Sequence, residues 1–121
     1  MVDRVDIGII GEDIAAGYLR ASGYEIIGRN LRFGHLEIDI LARKARCLAF
    51  VEVKTRRGDC FGTAVEAISK EKLRRLLRCA EIYMMDRYSD NTTVEYRVDV
   101  IAIDIKAEKG RLVLRHLIGV I

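Results

Sequence analysis

Hydrophobic residues near the start of the chain recur at the spacing of an α-helix. Ile10, Ile14 and Tyr18 stand four residues apart, which places them on one face of a helical stretch. Gly23 follows this pattern directly and is suited to end a helix, because glycine adopts left-handed backbone conformations at little cost. The pattern predicts an amphipathic helix over residues 6–22.

The rest of the chain consists of strand-like runs and one further helix. Ser69 is a suitable N-cap for that helix, which carries one apolar stripe and follows a predicted loop over residues 56–64. The predicted strands cover residues 24–33, 36–42, 47–55, 94–105 and 111–121. The order strand, long helix, strand favours a right-handed parallel crossover, so we expect a mixed sheet with helices packed against it.

The run FVEVKTR carries two charged residues inside an otherwise apolar strand. Side chains alternate between the two faces of a strand, so Glu52 and Lys54 share one face and Val51 and Val53 share the other. The face with the charges either meets water or carries chemistry.

The preceding strand, LEIDILA, supplies acids for the same face. If the two strands form an antiparallel hairpin around RKAR, Asp39 faces Glu52 across the hairpin. Glu37 then faces Lys54, while Ile38 points to the other side of the sheet. The pattern therefore predicts a cluster of acids with one lysine.

Such a cluster suits a metal site. Two close carboxylates raise each other's proton affinity unless a cation is present, and carboxylate oxygens with water are what Mg²⁺ prefers. Asp39 and Glu52 are the candidate ligands. The ammonium of Lys54 could orient a water molecule or balance charge on a phosphate, and Glu12 of the first helix could add a further carboxylate.

A simpler interpretation needs no chemistry. Charged residues that alternate along an antiparallel strand usually form a solvated face, and Glu37 with Lys54 could be a surface ion pair. Glu12 would then be a surface acid in the first helix, and the basic residues of the second helix would be a solvated face. The pattern alone favours this interpretation.

Composition restricts the class of protein. A chain of 121 residues fits one domain, residues 1–121, and no apolar run approaches the roughly 20 residues that span a membrane. Cys47, Cys60 and Cys79 form no CxxC pair, which predicts free thiols and a cytoplasmic location. The net charge of +3 permits a nucleic-acid partner without requiring one.

Several motifs occur in an order that resembles a known family. GEDIAAGYL, EIDILA, FVEVKTR, AVEAISKEKLRRL and YRVDVIAI follow one another as in the YraN-like proteins of bacteria, and the similarity runs from Gly11 to about Ile103. The resemblance implies an α/β fold, a three-layer α/β/α sandwich with a central mixed sheet. It also implies that this sandwich is restriction-endonuclease-like and related to Holliday-junction resolvases.

The resemblance assigns roles to the acidic cluster. In that fold an Asp and a downstream Glu-x-Lys bind metal and assist cleavage, and Asp39, Glu52 and Lys54 match this motif. Glu12 matches the acid of the first helix. Leu36 stands where the family pattern usually has glycine, which concerns backbone geometry more than metal binding. The resemblance favours the metal site over the solvated face.

Together with these residues, the resemblance implies a nuclease that uses Mg²⁺ or Mn²⁺ and acts on DNA, with branched or repair intermediates as candidate substrates. Arg56, Arg57, Lys70 and Arg74 are the candidate nucleic-acid-binding residues. One alternative is a non-catalytic nucleic-acid-binding module of a repair, recombination or uptake assembly. Another is a scaffold whose apolar C-terminal strand pairs with a second chain, for example in a homodimer.

Overall fold

Two α-helices and five β-strands form in the part of the chain that the computed structural model describes. That part comprises residues 4–58, 63–88, 93–106 and 110–121, with residues 4–6 as backbone only. The helices are α1 (Arg4–Ala21) and α2 (Lys70–Arg87), and a short 3-10 helix (Val65–Ala67) precedes α2. The strands are β1 (Glu25–Phe33), β2 (Leu36–Lys44), β3 (Cys47–Arg57), β4 (Glu95–Lys106) and β5 (Arg111–Leu117).

The strands form one mixed sheet in the order β1-β2-β3-β4-β5. Neighbouring strands are antiparallel except for β3 and β4, which are parallel and are joined through α2. The predicted mixed sheet and the parallel connection between these two strands are therefore confirmed. The long connection is needed because a tight turn cannot join two parallel strands.

Each face of the sheet is covered by one helix. Ala15, Ala16 and Leu19 of α1 pack against one face, and residues of α2 such as Leu76 and Ala80 pack against the other. The molecule thus has the predicted three-layer α/β/α arrangement. Its apolar core lies in two layers, one on each side of the sheet.

Several predicted boundaries change. Arg56 and Arg57 were expected to begin a loop, but they continue β3, because β3 pairs with β4 as far as Arg57. The last strand ends at Leu117 rather than at the final residue. Residues 59–62 of the predicted loop, including Cys60, lie outside the described residues.

Two further findings concern the described cysteines and helices. Cys47 and Cys79 are free thiols. Within the described part of the chain, neither helix is long and apolar enough to cross a membrane.

Helix α1 crosses β3 at very short range where Gly11 meets Thr55. A Cβ atom at Gly11 would overlap Thr55 Oγ1 and lie 3.0 Å from Thr55 Cβ. Rotation of the threonine side chain cannot remove the second contact, so a larger residue requires α1 or β3 to shift by a few tenths of an ångström. Glycine at this position therefore sets the distance of α1, and of the neighbouring Glu12, from β3.

We expect Gly11→Ala to destabilise the protein by roughly 1–3 kcal/mol, because overpacking outweighs the higher helix propensity of alanine. Gly17 is the matched control in the same helix, since a Cβ there meets nothing within 4 Å. Gly17→Ala should stabilise the protein by about 0.5–1 kcal/mol. Urea unfolding of both variants checks this, and equal stabilisation by the two substitutions would contradict the close approach.

Candidate active site

The hairpin of β2 and β3 has the predicted register but ends early. Leu41 faces Phe50 and Ile40 faces Val51, and the pairing stops there. The expected backbone pairs of Asp39 with Glu52 and of Glu37 with Lys54 are therefore absent from the ladder. Glu37 instead lies 3.8 Å from Arg32 of β1. The prediction of a Glu37–Lys54 pair was wrong, because the strands separate before they reach it.

The regular pleat of β2 is broken at Asp39. Ile40 packs with Val51 on the α1 side of the sheet, as expected. Ile38 was expected on that side too, but it packs with Leu41 and Phe50 on the α2 side. Neighbours two apart in a regular strand share a face, so the alternation is lost between Ile38 and Ile40.

A residue of β1 opposite this point has an unusual backbone. Asn30 has a φ of 54°, in the left-handed region that asparagine tolerates better than most residues. It lies between the pairs Arg29 with Ile40 and Leu31 with Ile38, opposite Asp39. β1 and β2 are therefore both irregular where Asn30 lies opposite Asp39.

Asp39 occupies the gap that opens between β2 and β3. Its Oδ2 atom accepts a hydrogen bond of 2.7 Å from the backbone N–H of Val53. The carboxylate thus takes the place of a backbone acceptor at the point where the ladder would have continued. This bond fixes Asp39 beside the charged segment of β3.

Glu52 lies close enough to Asp39 to oppose the ionisation of Asp39. Burial and the neighbouring carboxyl of Glu52 raise the pKa of Asp39 to about 8, despite the Val53 hydrogen bond and the positive charge of Lys72. The predicted convergence of the two carboxyl groups therefore occurs through side chains. A cation between them would remove the opposition.

Glu52 is buried but not satisfied. Only 9 % of the residue is exposed, and its Oε2 atom has no hydrogen-bond partner among the described residues. The nearest positive group is Lys72 Nζ of α2, at 3.5 Å. The solvated-face interpretation is wrong for Glu52, because this side chain is buried, whereas Asp39 is half-buried at the wall of a cleft.

Asp99, a buried acid elsewhere in the sheet, has partners for both of its carboxyl oxygens. Asp99 is 0 % exposed, and its Oδ1 atom accepts from Arg97 Nε at 2.9 Å and from Gly119 N at 3.0 Å. Its Oδ2 atom lies 2.8 Å from His116 Nε2. Although burial opposes ionisation, these bonds lower the pKa of Asp99. Asp99 therefore has the bonding of a structural residue, in contrast to Asp39 and Glu52.

Glu12 leans from α1 toward the same site. Arg29 Nη2 lies 3.6 Å from Glu12 Oε1. The side-chain amide of Asn30 is assigned with its nitrogen toward the acids, and in that orientation it donates to both Glu12 (3.2 Å) and Glu37 (2.8 Å). Burial and the negative charge of Asp39 raise the pKa of Glu12, while Arg29 and Asn30 offset part of this effect. The irregular Asn30 thus links the first-helix acid to the site.

Most of the predicted site residues line one cleft of about 690 Å³ beside β3. They are Glu12, Asp39, Glu52, Lys54, Arg56 and Arg57. Lys54 makes no ion pair with a described acid, and Arg56 Nε is buried without a hydrogen-bond partner among the described residues. Lys70 and Arg74, the other predicted nucleic-acid-binding residues, are exposed on α2 and do not line this cleft.

The sequence pattern did not assign Lys72 to the site. Lys72 stands four residues before Leu76, which is buried against the sheet, and residues four apart share a face of a helix. That spacing could have placed Lys72 toward β3. The role of Asn30 had no such signal, because its backbone conformation depends on the neighbouring strand.

The donor set fits a metal held by few protein ligands. Within the described ranges, no three acidic, histidine or cysteine side chains are placed to form a cage. Mg²⁺ commonly keeps several waters and binds one or two carboxylates together with substrate phosphate. Asp39 and the unsatisfied Glu52, at the wall of an open cleft, match that pattern.

A comparison with protein families identifies the group to which these residues belong. The model of the uncharacterised protein family UPF0102 matches residues 11–103. The chain belongs to the UPF0102 family. The expected resemblance to the YraN-like proteins is confirmed, and all the candidate site residues of this UPF0102 protein lie inside the matched range.

Relatives from three bacteria match most of the chain. A UPF0102 protein of Syntrophotalea carbinolica is 45 % identical over 109 residues, which cover 90 % of this chain and 87 % of the relative. A UPF0102 protein of Nocardia farcinica is 40 % identical over 115 residues, 95 % of this chain and 88 % of the relative. One from Symbiobacterium thermophilum is 45 % identical over 106 residues, 88 % of this chain and 87 % of the relative.

The raised pKa of Asp39 predicts a pH dependence of the metal-free protein. The folded chain keeps this proton up to about pH 8, whereas a free aspartate loses it near pH 3.8. The folded state then binds more protons than the unfolded state in this window, so the free energy of unfolding falls as the pH rises from about 4 to about 8. Asp39→Asn cannot ionise and should lack this fall.

Urea unfolding in EDTA across the same window measures the difference between wild type and variant. The advantage of wild type over Asp39→Asn should shrink steadily with increasing pH. Asp86→Asn, at an exposed position near the end of α2, should keep the wild-type profile. Parallel profiles for wild type and Asp39→Asn would show that Asp39 ionises normally.

Proposed function

We propose that this UPF0102 protein is a nuclease that hydrolyses phosphodiester bonds in DNA with Mg²⁺ or Mn²⁺ as cofactor. One observation carries the proposal: the half-buried carboxyl group of Asp39 and the buried carboxyl group of Glu52 lie beside Lys54 in an open cleft. Among the described residues, Glu52 Oε2 has no hydrogen-bond partner and Lys54 has no ion-pair partner. Unsatisfied buried carboxyl oxygens are costly, so they are expected where a bound cation completes them.

Asp39 and Glu52 are the proposed metal ligands. The hydrogen bond from Val53 N–H holds one oxygen of Asp39, and the burial of Glu52 restricts its side chain. The two groups are therefore positioned before any ligand binds, which reduces the cost of assembling the site. A divalent cation would stabilise charge on the phosphate and lower the pKa of an attacking water.

Lys54 is the proposed catalytic lysine. It stands two residues after Glu52 on β3, so both side chains project to the same side of the strand. No described acid neutralises its ammonium group, which leaves the charge for a water molecule or for the phosphate. An ammonium that acts where charge develops contributes mainly to the transition state.

Glu12 is the proposed auxiliary acid. It lines the cleft with Asp39, and the negative charge of Asp39 raises its pKa. Arg29 and Asn30 hold it from the opposite side. Its position suits the exchange of a proton with water in the cleft.

Basic residues beside the cleft are the proposed contacts for the DNA backbone. Arg56 and Arg57 line the cleft, and Lys70 and Arg74 are exposed on α2. Phosphate contacts by such residues supply affinity without base specificity. The proposed preference for branched or repair intermediates, and the proposed restriction-endonuclease-like character of the sandwich, rest on the family resemblance.

Metal binding should stabilise the folded protein. At a free Mn²⁺ concentration about 100 times the Kd, the expected gain is roughly 2.7 kcal/mol, because metal binds the folded state only. For a chain of this length that gain corresponds to a rise in Tm on the order of 10 °C. Asp39→Asn should lose most of the rise and Asp86→Asn should keep it. Equal responses of all three proteins would exclude a specific site.

Separate measurements of DNA cleavage and DNA binding distinguish the roles of the basic residues Lys54 and Arg57. Fork, flap and four-way-junction DNA are incubated with Mn²⁺, and binding of the same DNA is measured by gel shift in EDTA. Lys54→Ala should lower cleavage far more than binding, because Lys54 acts in the transition state. Arg57→Ala should mainly weaken binding and reduce its salt dependence. Glu52→Gln should abolish cleavage.

Two other outcomes have defined meanings. Cleavage that survives both Glu52→Gln and Lys54→Ala would come from a contaminating nuclease and would defeat the assignment. Tight binding without cleavage under Mg²⁺ or Mn²⁺ would favour the second function, a non-catalytic nucleic-acid-binding module.

The proposed homodimer stays a separate prediction. β5 lies at an edge of the sheet, and Leu112, Ile118 and Ile121 are exposed on or just after it. An edge strand can pair with another chain. Molar mass in solution tests this prediction independently of the nuclease site.

A further inference from the structure

Lys72 reaches the candidate site from a fixed point at the start of α2. Ser69 caps the helix, and its Oγ atom accepts a hydrogen bond of 3.1 Å from Lys72 N. Lys72 is the third residue of the helix, on the side that faces β3. The cap therefore anchors the backbone of Lys72 close to Glu52.

The contact between Lys72 and Glu52 is electrostatic and loose. The distance from Lys72 Nζ to Glu52 Oε2 is 3.5 Å, longer than the roughly 2.7–2.9 Å of a good charge-assisted hydrogen bond. The side chain of Lys72 is 44 % exposed, whereas that of Glu52 is 11 % exposed. Lys72 offsets the charge of the buried acid without satisfying its oxygen, and it can withdraw to solvent without disturbing the core.

Space for that withdrawal exists on the α2 side of β3. A pocket of about 150 Å³ is lined by Glu52, Lys54, Ser69 and Lys72 together with Ala67 and Ile68. It lies next to the larger cleft, since Glu52 and Lys54 line both. An ammonium that leaves Glu52 would stay beside Lys54.

We propose that Lys72 is the internal counter-ion of Glu52 in the metal-free protein and that a divalent cation displaces it. The inference rests on the proposed metal site. It adds that the ammonium group of Lys72 competes with the metal for Glu52. An ammonium and a doubly charged cation repel each other, so both cannot take the same carboxyl oxygen at low cost. Displacement moves one positive charge into the pocket beside Lys54, where a phosphate can meet it.

Mn²⁺ binding to the protein alone tests the competition. Isothermal titration without nucleic acid compares wild type, Lys72→Met, Lys72→Arg and Arg78→Met. Removal of the competing charge should tighten Mn²⁺ binding by roughly tenfold in Lys72→Met. Lys72→Arg keeps the charge and should bind like wild type. Arg78→Met removes a charge from an exposed position of the same helix, near Glu81, and should also bind like wild type.

The outcomes separate this inference from the proposed function. Equal or weaker Mn²⁺ binding by Lys72→Met, with clear binding by wild type, would overturn the displacement and leave the metal site intact. An equal gain in Mn²⁺ affinity in Arg78→Met would show that the effect comes from the net charge of the protein, and this would also overturn the displacement. Absence of Mn²⁺ binding in wild type and in every variant would remove both the metal site and the displacement.

A second measurement uses wild type only and does not depend on the folding of a variant. Limited acetylation with an N-hydroxysuccinimide ester, followed by mass spectrometry, reports the reactivity of each lysine amine. Mg²⁺ should raise the reactivity of Lys72 relative to Lys70, which is exposed at the first position of α2. An unchanged or lower ratio would contradict displacement.

Discussion

The hydrogen bond from Val53 N–H to the Asp39 carboxylate is the interaction on which the candidate site depends. It lies where the β2–β3 ladder ends, and it supplies β3 with an acceptor that the backbone of β2 no longer provides. The same bond brings Asp39 against Glu52 and leaves the cleft open beside them. A regular hairpin would have closed this gap with backbone pairs, and the two acids would have stood side by side on a covered face.

The hydrogen bonding of the acidic side chains differs between two parts of the molecule. Asp99 is held by Arg97, His116 and a backbone N–H, and its pKa is lowered in spite of complete burial. Asp39 has a raised pKa, and one oxygen of Glu52 has no hydrogen-bond partner among the described residues. Such an arrangement destabilises the metal-free fold, and the proposed cation would offset that cost when bound.

Both helices contribute to the site through local features of their sequences. Gly11 lets α1 approach Thr55, and this close crossing carries Glu12 to the cleft. Ser69 fixes the start of α2 on the opposite side of the sheet, and Lys72 reaches Glu52 from there. An acidic side chain from one helix layer and a positively charged side chain from the other thus lie beside β3. The arrangement of charges around the cleft therefore depends on the spacing of all three layers.

The sequence by itself determined the elements, the hairpin register and the parallel crossover, because side-chain periodicity and turn positions are local properties. It also placed Asp39, Glu52 and Lys54 in one cluster. The family motif and the alternation of side chains along a strand can both be recognised within short segments of sequence. Only the tertiary structure decided that the pleat breaks at Asp39, that Ile38 changes face and that Lys72 joins the site. These outcomes depend on Asn30 of another strand, on the cover provided by α2 and on desolvation, all of which arise when distant segments pack together.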